Sequence, residues 1–236
     1  MLAKQGKIPV EDLEKFPNPP YIGLAETGIP GVWVSGGSMG HGLPIAVGMA
    51  LAKKRANEPG KIYCIMSDGE MNEGTTWEAA ALAAHHRLNN LHVIVDKNGW
   101  QAMGKTEDIL QITFPNERWY MESVDGHNYK YLEWAINMKI RCDECDGAGV
   151  LNNDSAQFRD YKKWQADDGS CIRCGGKGIY EDFDANDEGF GKDKPRVIIC
   201  ETVKGKGVSF MENINIWHYK LPNQEEYELA LKELNG

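Results

Sequence analysis

Residues 61–101, KIYCIMSDGEMNEGTTWEAAALAAHHRLNNLHVIVDKNGWQ, constrain the fold more than any other stretch of the chain. Two short apolar runs, residues 62–66 and 91–95, each stop at a polar turn: Asp68-Gly69-Glu70 after the first, Asp96-Lys97-Asn98 after the second. Between them, Thr75 and Glu78 have capping-box spacing, and Trp77, Ala80, Ala81, Ala84 and Leu88 form an apolar stripe at helical period. This order predicts a βαβ unit. With parallel strands and the usual right-handed crossover, Asp68 and Asn98 both leave the sheet at its carboxyl edge, where open α/β folds bind ligands. One carboxylate and one amide oxygen, with several positions left open, suit Mg²⁺, which completes an octahedral shell with water and phosphate oxygens.

The flanks extend the pattern. Ser67-Asp68-Gly69-Glu70, Glu73-Gly74, Trp77-Glu78-Ala79, and Asn89-Asn90-Leu91 leading to Asp96-Lys97-Asn98 together resemble the thiamine diphosphate motif of the transketolase family. The resemblance implies an α/β fold, a parallel sheet flanked by helices, with Mg²⁺ held by Asp68, Asn98 and the backbone carbonyl of Trp100. It also implies contacts to the cofactor from Gly69 and Glu70, and a partner-facing catalytic acid at Glu73; a first-turn acid complementing a helix N-terminus is the plainer reading of Glu73.

Upstream, Ser35-Gly36-Gly37-Ser38-Met39-Gly40-His41-Gly42 precedes a helical pattern in which Ile45, Met49, Leu51 and Ala52 are expected to point inward. Glycines before a helix let backbone N–H groups approach an anion, and the helix dipole favours negative charge there. The resemblance sets Gly37 and Met39 against the cofactor; His41 is a proton relay or a structural histidine. The family's Gly-His-Pro element reads Gly23-Leu24-Ala25 here, so the histidine beside the reactive centre is replaced by Leu24, which favours an altered acceptor. The family's longer leader, with a strand-helix layer and a Lys-Gly-His element, has no counterpart before residue 23.

Downstream, Gly99-Trp100-Gln101-Ala102-Met103-Gly104 reads as a turn, with Ala102 placed by the resemblance against the thiazolium ring and Gln101 either binding substrate or capping the turn. A strand at residues 121–124 ends at Asp125-Gly126-His127-Asn128, whose role in the family is structural, and a helix follows with Leu132, Ala135 and Ile136 inward. His85 and His86, late in the central helix, read as structural or surface residues beside its terminal carbonyls. The strand at residues 196–200 leads to Lys204-Gly205-Lys206-Gly207 and then to His218, the catalytic and cofactor-binding histidine that the resemblance implies; Tyr219 follows where the family has glycine. Residues 224–234 form a last amphipathic helix.

Six cysteines divide into Cys64 and Cys200 inside strands, and two knuckles of the form CxxCxGxG, at Cys142 and Cys145 and at Cys171 and Cys174. Two CxxC pairs supply four thiolates for tetrahedral Zn²⁺, a closed structural shell, and they resemble the zinc modules of DnaJ-type chaperones over the knuckles alone. The chain therefore divides into residues 1–139 and 194–236, one pyrophosphate-binding domain, interrupted by a zinc-ribbon insertion at 140–193. The insertion carries seven basic against thirteen acidic side chains, and the whole chain of 236 residues a net charge of −9, which argues against nucleic acid as a partner. No apolar stretch reaches membrane-spanning length and the first residues lack a signal-peptide core, so a cytoplasmic, non-membrane protein is expected.

The resemblance covers the pyrophosphate-binding domain alone, and no candidate appears for the glutamate that a pyrimidine-binding domain contributes to the cofactor. The implied enzyme is one half of a split transketolase, moving a two-carbon ketol unit between sugar phosphates together with a separate pyrimidine-binding subunit, in a dimer or heterotetramer. Two alternatives stand beside it: a 1-deoxyxylulose-5-phosphate synthase-like or unusual-sugar enzyme, and a non-catalytic zinc-containing assembly subunit.

Overall fold

The computed structural model of the chain describes residues 2–15, 25–110, 113–115, 117–136, 140–141, 179–180 and 194–235. Its centre is a four-stranded sheet made of β1 (Ile62–Ser67), β2 (Leu91–Lys97), β5 (Tyr120–Asp125) and β8 (Arg196–Glu201). The order is β1-β2-β8-β5 and every pairing is parallel, with Ile62 opposite Leu91, His92 opposite Arg196, and Tyr120 opposite Arg196. Because all four strands run one way, every turn that follows a strand lies at the same edge. The strands are apolar on both faces, as a sheet covered by helices requires.

Two helices, α1 (Gly42–Arg55) and α2 (Gly74–His85), cover one face. Leu43, Val47 and Ala50 of α1 and Ala79, Ala80 and Ala83 of α2 belong to one buried cluster with Cys64, Val93, Val95 and Val197 of the sheet. The small residues of α2 leave nothing to hold α1 away, so the helices pack closely. Beside them Phe114 lies between Trp77 and the fully buried Trp119, whose indole N–H donates to the Ala80 carbonyl at 3.3 Å. On the opposite face α4 (Tyr129–Ile136) packs Leu132, Ala135 and Ile136 against Val124, Ile198 and Cys200. That cover stops short of β1, where Ile65 remains 75% exposed.

Three sequence expectations shift. The α2 helix begins at Gly74 with Glu73 as its N-cap, so Thr75 lies inside the first turn and no Thr75–Glu78 capping box forms. Its hydroxyl turns outward to the Gly40 carbonyl instead. Ala81 is exposed, since Ala79 and Ala83 carry the buried stripe. In α1 the inward face is Leu43, Ala46, Val47 and Ala50, which leaves Ile45 and Met49 exposed and Ala52 outside. A helix apolar nearly all round gives no contrast from which to choose the buried stripe.

Around this frame lie a hairpin of β3 (Trp100–Gln101) and β4 (Gly104–Lys105), the short α3 (Thr106–Ile109), and α5 (Gln224–Asn235). Residues 10–15 form a 3₁₀ helix. Two strands inside the insertion bracket its knuckle segment: β6 (Ile140–Arg141) pairs antiparallel with β7 (Ile179–Tyr180). The four knuckle cysteines, Cys142, Cys145, Cys171 and Cys174, lie outside the described residues, as does Leu24. Among the described residues no helix is long and apolar enough to cross a membrane.

Candidate active site

The strand-turn-helix grammar that makes the sheet also gathers polar turns at its carboxyl edge. Asp68 directly follows β1, and its backbone N–H continues the ladder by donating to the Asp96 carbonyl at 3.1 Å. Its side chain is 4% exposed. A buried carboxylate needs donors or a cation. Oδ1 accepts the Gly69 amide at 2.9 Å, while Oδ2 accepts the Gly99 amide at 2.8 Å and the Thr106 hydroxyl at 3.0 Å. The Gly99 amide can reach that oxygen because its backbone turns back at φ +78°, a conformation that favours glycine. Beyond the last residue of β2, the Asn98 side-chain oxygen accepts the Trp100 amide at 2.9 Å. Asp68 and Asn98 therefore leave adjacent parallel strands at one edge, as expected from the sequence.

The glycine-rich loop is tied to the same turn. Gly40 donates its amide to Glu70 Oε1 at 2.8 Å, and its carbonyl accepts the Thr75 hydroxyl at 2.8 Å. At φ +77° a Cβ on Gly40 would lie 2.5 Å from Thr75 Oγ1 and 2.7 Å from Glu73 Cβ, so the loop approaches to a distance that only glycine permits. Glu70 is thus held by the loop. The neighbouring Glu73 is exposed and makes no capping hydrogen bond. Gly37 adopts φ +124°, and Met39 is half exposed beside it. His41 is the N-cap of α1 without a side-chain cap bond.

The hairpin and the C-terminal loop complete the edge. Gln101 donates to Asn72 Oδ1 at 2.7 Å, which ties the hairpin to the acidic turn and favours the turn-capping alternative for Gln101. Asn215 donates to the Ala102 carbonyl at 3.2 Å and so anchors the 3₁₀ turn Asn215–His218 beside the hairpin. His218 itself is exposed, with its Nδ1 3.3 Å from Lys204 Nζ and its ring edge-on to Tyr219 at 4.8 Å. Beneath the hairpin a cavity of about 930 Å³ is lined, among the described residues, by Asp68, Met71, Val95, Trp100, Leu110 and Ile199. It shares Asp68 and Trp100 with the sequence-predicted set, while Asn98, Gly69, Glu70 and Ala102 as well as Gly37, Met39, Glu73 and His218 lie outside its wall.

Thr106 and Asn215 were not singled out by the sequence, and Thr75 was read only as a capping-box residue. Each carries the site indirectly, through a hydrogen bond whose partner is distant in the chain, and no local pattern marks such a pair. Two motif residues have the structural role expected of them: His127 Nε2 accepts the Val203 amide at 2.8 Å, and a Cβ on Gly126 would lie 2.4 Å from Thr202. His85 and His86 meet edge to face at the end of α2.

The described residues contain no group of three or more His, Cys, Asp or Glu able to hold a metal. Residues 7–144 match the family described as transketolase, thiamine diphosphate binding domain. The chain belongs to the transketolase family. Membership sets it among the thiamine diphosphate-dependent transferases. It is 35% identical over 240 residues to an apulose-4-phosphate transketolase subunit of Actinobacillus succinogenes, covering 99% of this chain and 69% of that protein. It is 31% identical over 207 residues to the protein of the same name from Phocaeicola vulgatus, covering 88% of this chain and 58% of that one. A 6-deoxy-6-sulfo-D-fructose transketolase subunit from a Clostridium species is 28% identical over 99% of the chain and 70% of its own length. Among solved structures, transketolase from Campylobacter jejuni superposes with a TM-score of 0.68 at 23% identity, over 95% of this chain and 30% of that one. That likeness bears on the fold, and it agrees with the parallel sheet flanked by helices.

Proposed function

We propose that the chain is the pyrophosphate-binding subunit of a split, Mg²⁺-dependent transketolase, which moves a two-carbon ketol unit between sugar phosphates when joined to a separate pyrimidine-binding subunit. The observation that carries this reading is the buried Asp68 carboxylate, held by three protein donors at the carboxyl edge of parallel strands. The relatives named as transketolase subunits support a separate partner; the assembly proposed is two of each.

The donor chemistry fits Mg²⁺. Asp68 offers a hard anionic oxygen, Asn98 an amide oxygen whose second lone pair is open, and Trp100 a carbonyl on the same turn, leaving positions for diphosphate oxygens and water. Bound there, thiamine diphosphate supplies a stabilised carbanion equivalent for cleaving and forming the carbon–carbon bond. The chain's own residues bind and orient. Gly37 and Met39 lie against the cofactor from the glycine-rich loop, Gly69 and Glu70 from the acidic turn, and Ala102 from the hairpin. Glu70 holds Gly40 in place, and Gly40 fixes the loop's approach. Exposed Glu73 faces the partner as a catalytic acid. His218 reaches substrate and diphosphate, its Nδ1 within hydrogen-bonding distance of Lys204. A protonated Lys204 ammonium would donate to Nδ1 and leave the proton on Nε2, which directs an N–H toward the substrate side.

The sugar substrates are unusual ones. Two observations favour this over the common pentose and hexose phosphates: Leu24 replaces the family histidine, and similar relatives are named for apulose 4-phosphate and a sulfonated fructose. The four knuckle cysteines close a structural zinc shell, supported by the antiparallel β6–β7 pair that flanks them in sequence. The test is product analysis with the chain and its co-purifying partner, a ketose phosphate donor and a panel of aldehyde acceptors. Two-carbon transfer that requires both polypeptides and Mg²⁺ is expected; transfer by neither, alone or combined, contradicts the reading. Metal analysis of the full chain should find one zinc per chain, and zinc absent from a fully reduced preparation contradicts the ribbon.

A further inference from the structure

We infer that Thr106 is a positioning residue for the cation site: it saturates one oxygen of Asp68 and so makes Asp68 a one-oxygen ligand through Oδ1. This rests on the metal-dependent reading above. A carboxylate oxygen has two lone pairs in its plane. Oδ2 commits both to protein, one to the Gly99 amide at 2.8 Å and one to the Thr106 hydroxyl at 3.0 Å. Among the described residues Oδ1 accepts only the amide of its own neighbour, Gly69, at 2.9 Å. One lone pair of the carboxylate is therefore open, and it belongs to Oδ1.

The same threonine closes the hairpin that carries the other ligands. Its backbone N–H donates to the Gly99 carbonyl at 2.9 Å, just outside the pairing of Trp100 with Lys105 and Gln101 with Gly104. Gly99 and Thr106 are thus the two feet of the hairpin. Both stand on Oδ2. The arrangement couples the position of Trp100, whose carbonyl would face the cation, to the rotamer of Asp68. Without the hydroxyl, Oδ2 regains a lone pair, Asp68 is free to swing toward two-oxygen coordination, and one foot of the hairpin loses its anchor. Partners that orient metal ligands matter in this way because a mobile ligand must be ordered on binding.

The two Asp68 oxygens are inequivalent in a way that a merely structural threonine would not exploit, and Mn²⁺ provides a direct probe. Mn²⁺ binding in the presence of thiamine diphosphate is followed by electron paramagnetic resonance on the full chain in the complex in which it is purified, for the parent, Thr106→Val and Thr106→Ser. Valine keeps the shape and removes the donor. The expected result is a roughly tenfold or larger weakening of Mn²⁺ binding in Thr106→Val and restoration in Thr106→Ser. Parent-like Mn²⁺ affinity in a folded Thr106→Val overturns the positioning role. A parent complex that binds no Mn²⁺ with thiamine diphosphate overturns the metal-dependent reading beneath it. Circular dichroism melting of all three variants separates loss of fold from loss of binding: a Thr106→Ser that melts like the parent but binds as weakly as Thr106→Val also overturns the role.

Discussion

At the carboxyl edge of the sheet the buried Asp68 carboxylate accepts three hydrogen bonds, whereas at the amino edge the equally buried His92 imidazole has no hydrogen-bond partner at either nitrogen among the described residues. His92 sits in β2, between β1 and β8, in one register row with Tyr63, Arg196 and Tyr120. Inside a central strand every nearby backbone group is already used by the ladder, so a polar side chain there finds rings and charges but no free donor or acceptor. It packs on Tyr63 at 5.1 Å, and the neighbouring guanidinium of Arg196 lies 5.0 Å from the Tyr120 ring. Just past a strand the backbone turns, and amides such as those of Gly69 and Gly99 become free to bind a carboxylate. The same sheet thus makes its carboxyl edge a prepared polar site and its amino edge a store of unmet polarity.

That contrast yields predictions of decreasing size. Burial first, then the Arg196 and Lys61 charges, push the His92 pKa down from 6.5 to about 4. Between those values the unfolded chain holds a proton that the folded ring refuses, so stability is complete above pH 6.5 and falls as the pH drops toward 4. The loss is about 3 kcal/mol, read by urea melts across that range. Asp68→Asn, at the other edge, removes the charge and sets an NH2 group against a backbone N–H, so calorimetry should find thiamine diphosphate binding in Mg²⁺ weakened by roughly a hundredfold, with a lowered melting temperature from the amide left without an acceptor. Gly40→Ala forces a Cβ against Thr75 and Glu73 at positive φ and should cost about 2 kcal/mol in thermal melts while also weakening cofactor binding. The smallest effect is also the most telling. His92→Leu removes two unsatisfied nitrogens and should leave stability at about pH 7.5 unchanged or higher by about 1 kcal/mol, with the acid-induced loss largely abolished.

The parts of the molecule differ in how far the sequence foretold them. The βαβ unit was legible because apolar runs that end in polar turns have one economical arrangement, and Asp68 and Asn98 came with it. The inward faces of α1 and α2 were legible only in part: Ile45, Met49 and Ala81 are as apolar as the residues that are buried, so periodicity alone could not choose among them. Phe114, Trp119 and the packing around them escaped notice, because their partners Trp77 and Ala80 lie far away in sequence. At the site, the candidate ligands stand out by residue type and turn position. Their supports, Thr106, Thr75 and Asn215, are ordinary polar residues made important by where the fold delivers them.

Everything proposed for this chain depends on a metal-bound diphosphate at the Asp68 edge. Titration calorimetry of thiamine diphosphate into the purified native complex, first with Mg²⁺ and then with the metal removed by chelation, decides whether it is held there. Saturable binding with Mg²⁺ that disappears on chelation and returns when Mg²⁺ is restored is the expected result. Binding that persists unchanged without any divalent cation, or no binding under either condition, would show the proposed site to be wrong.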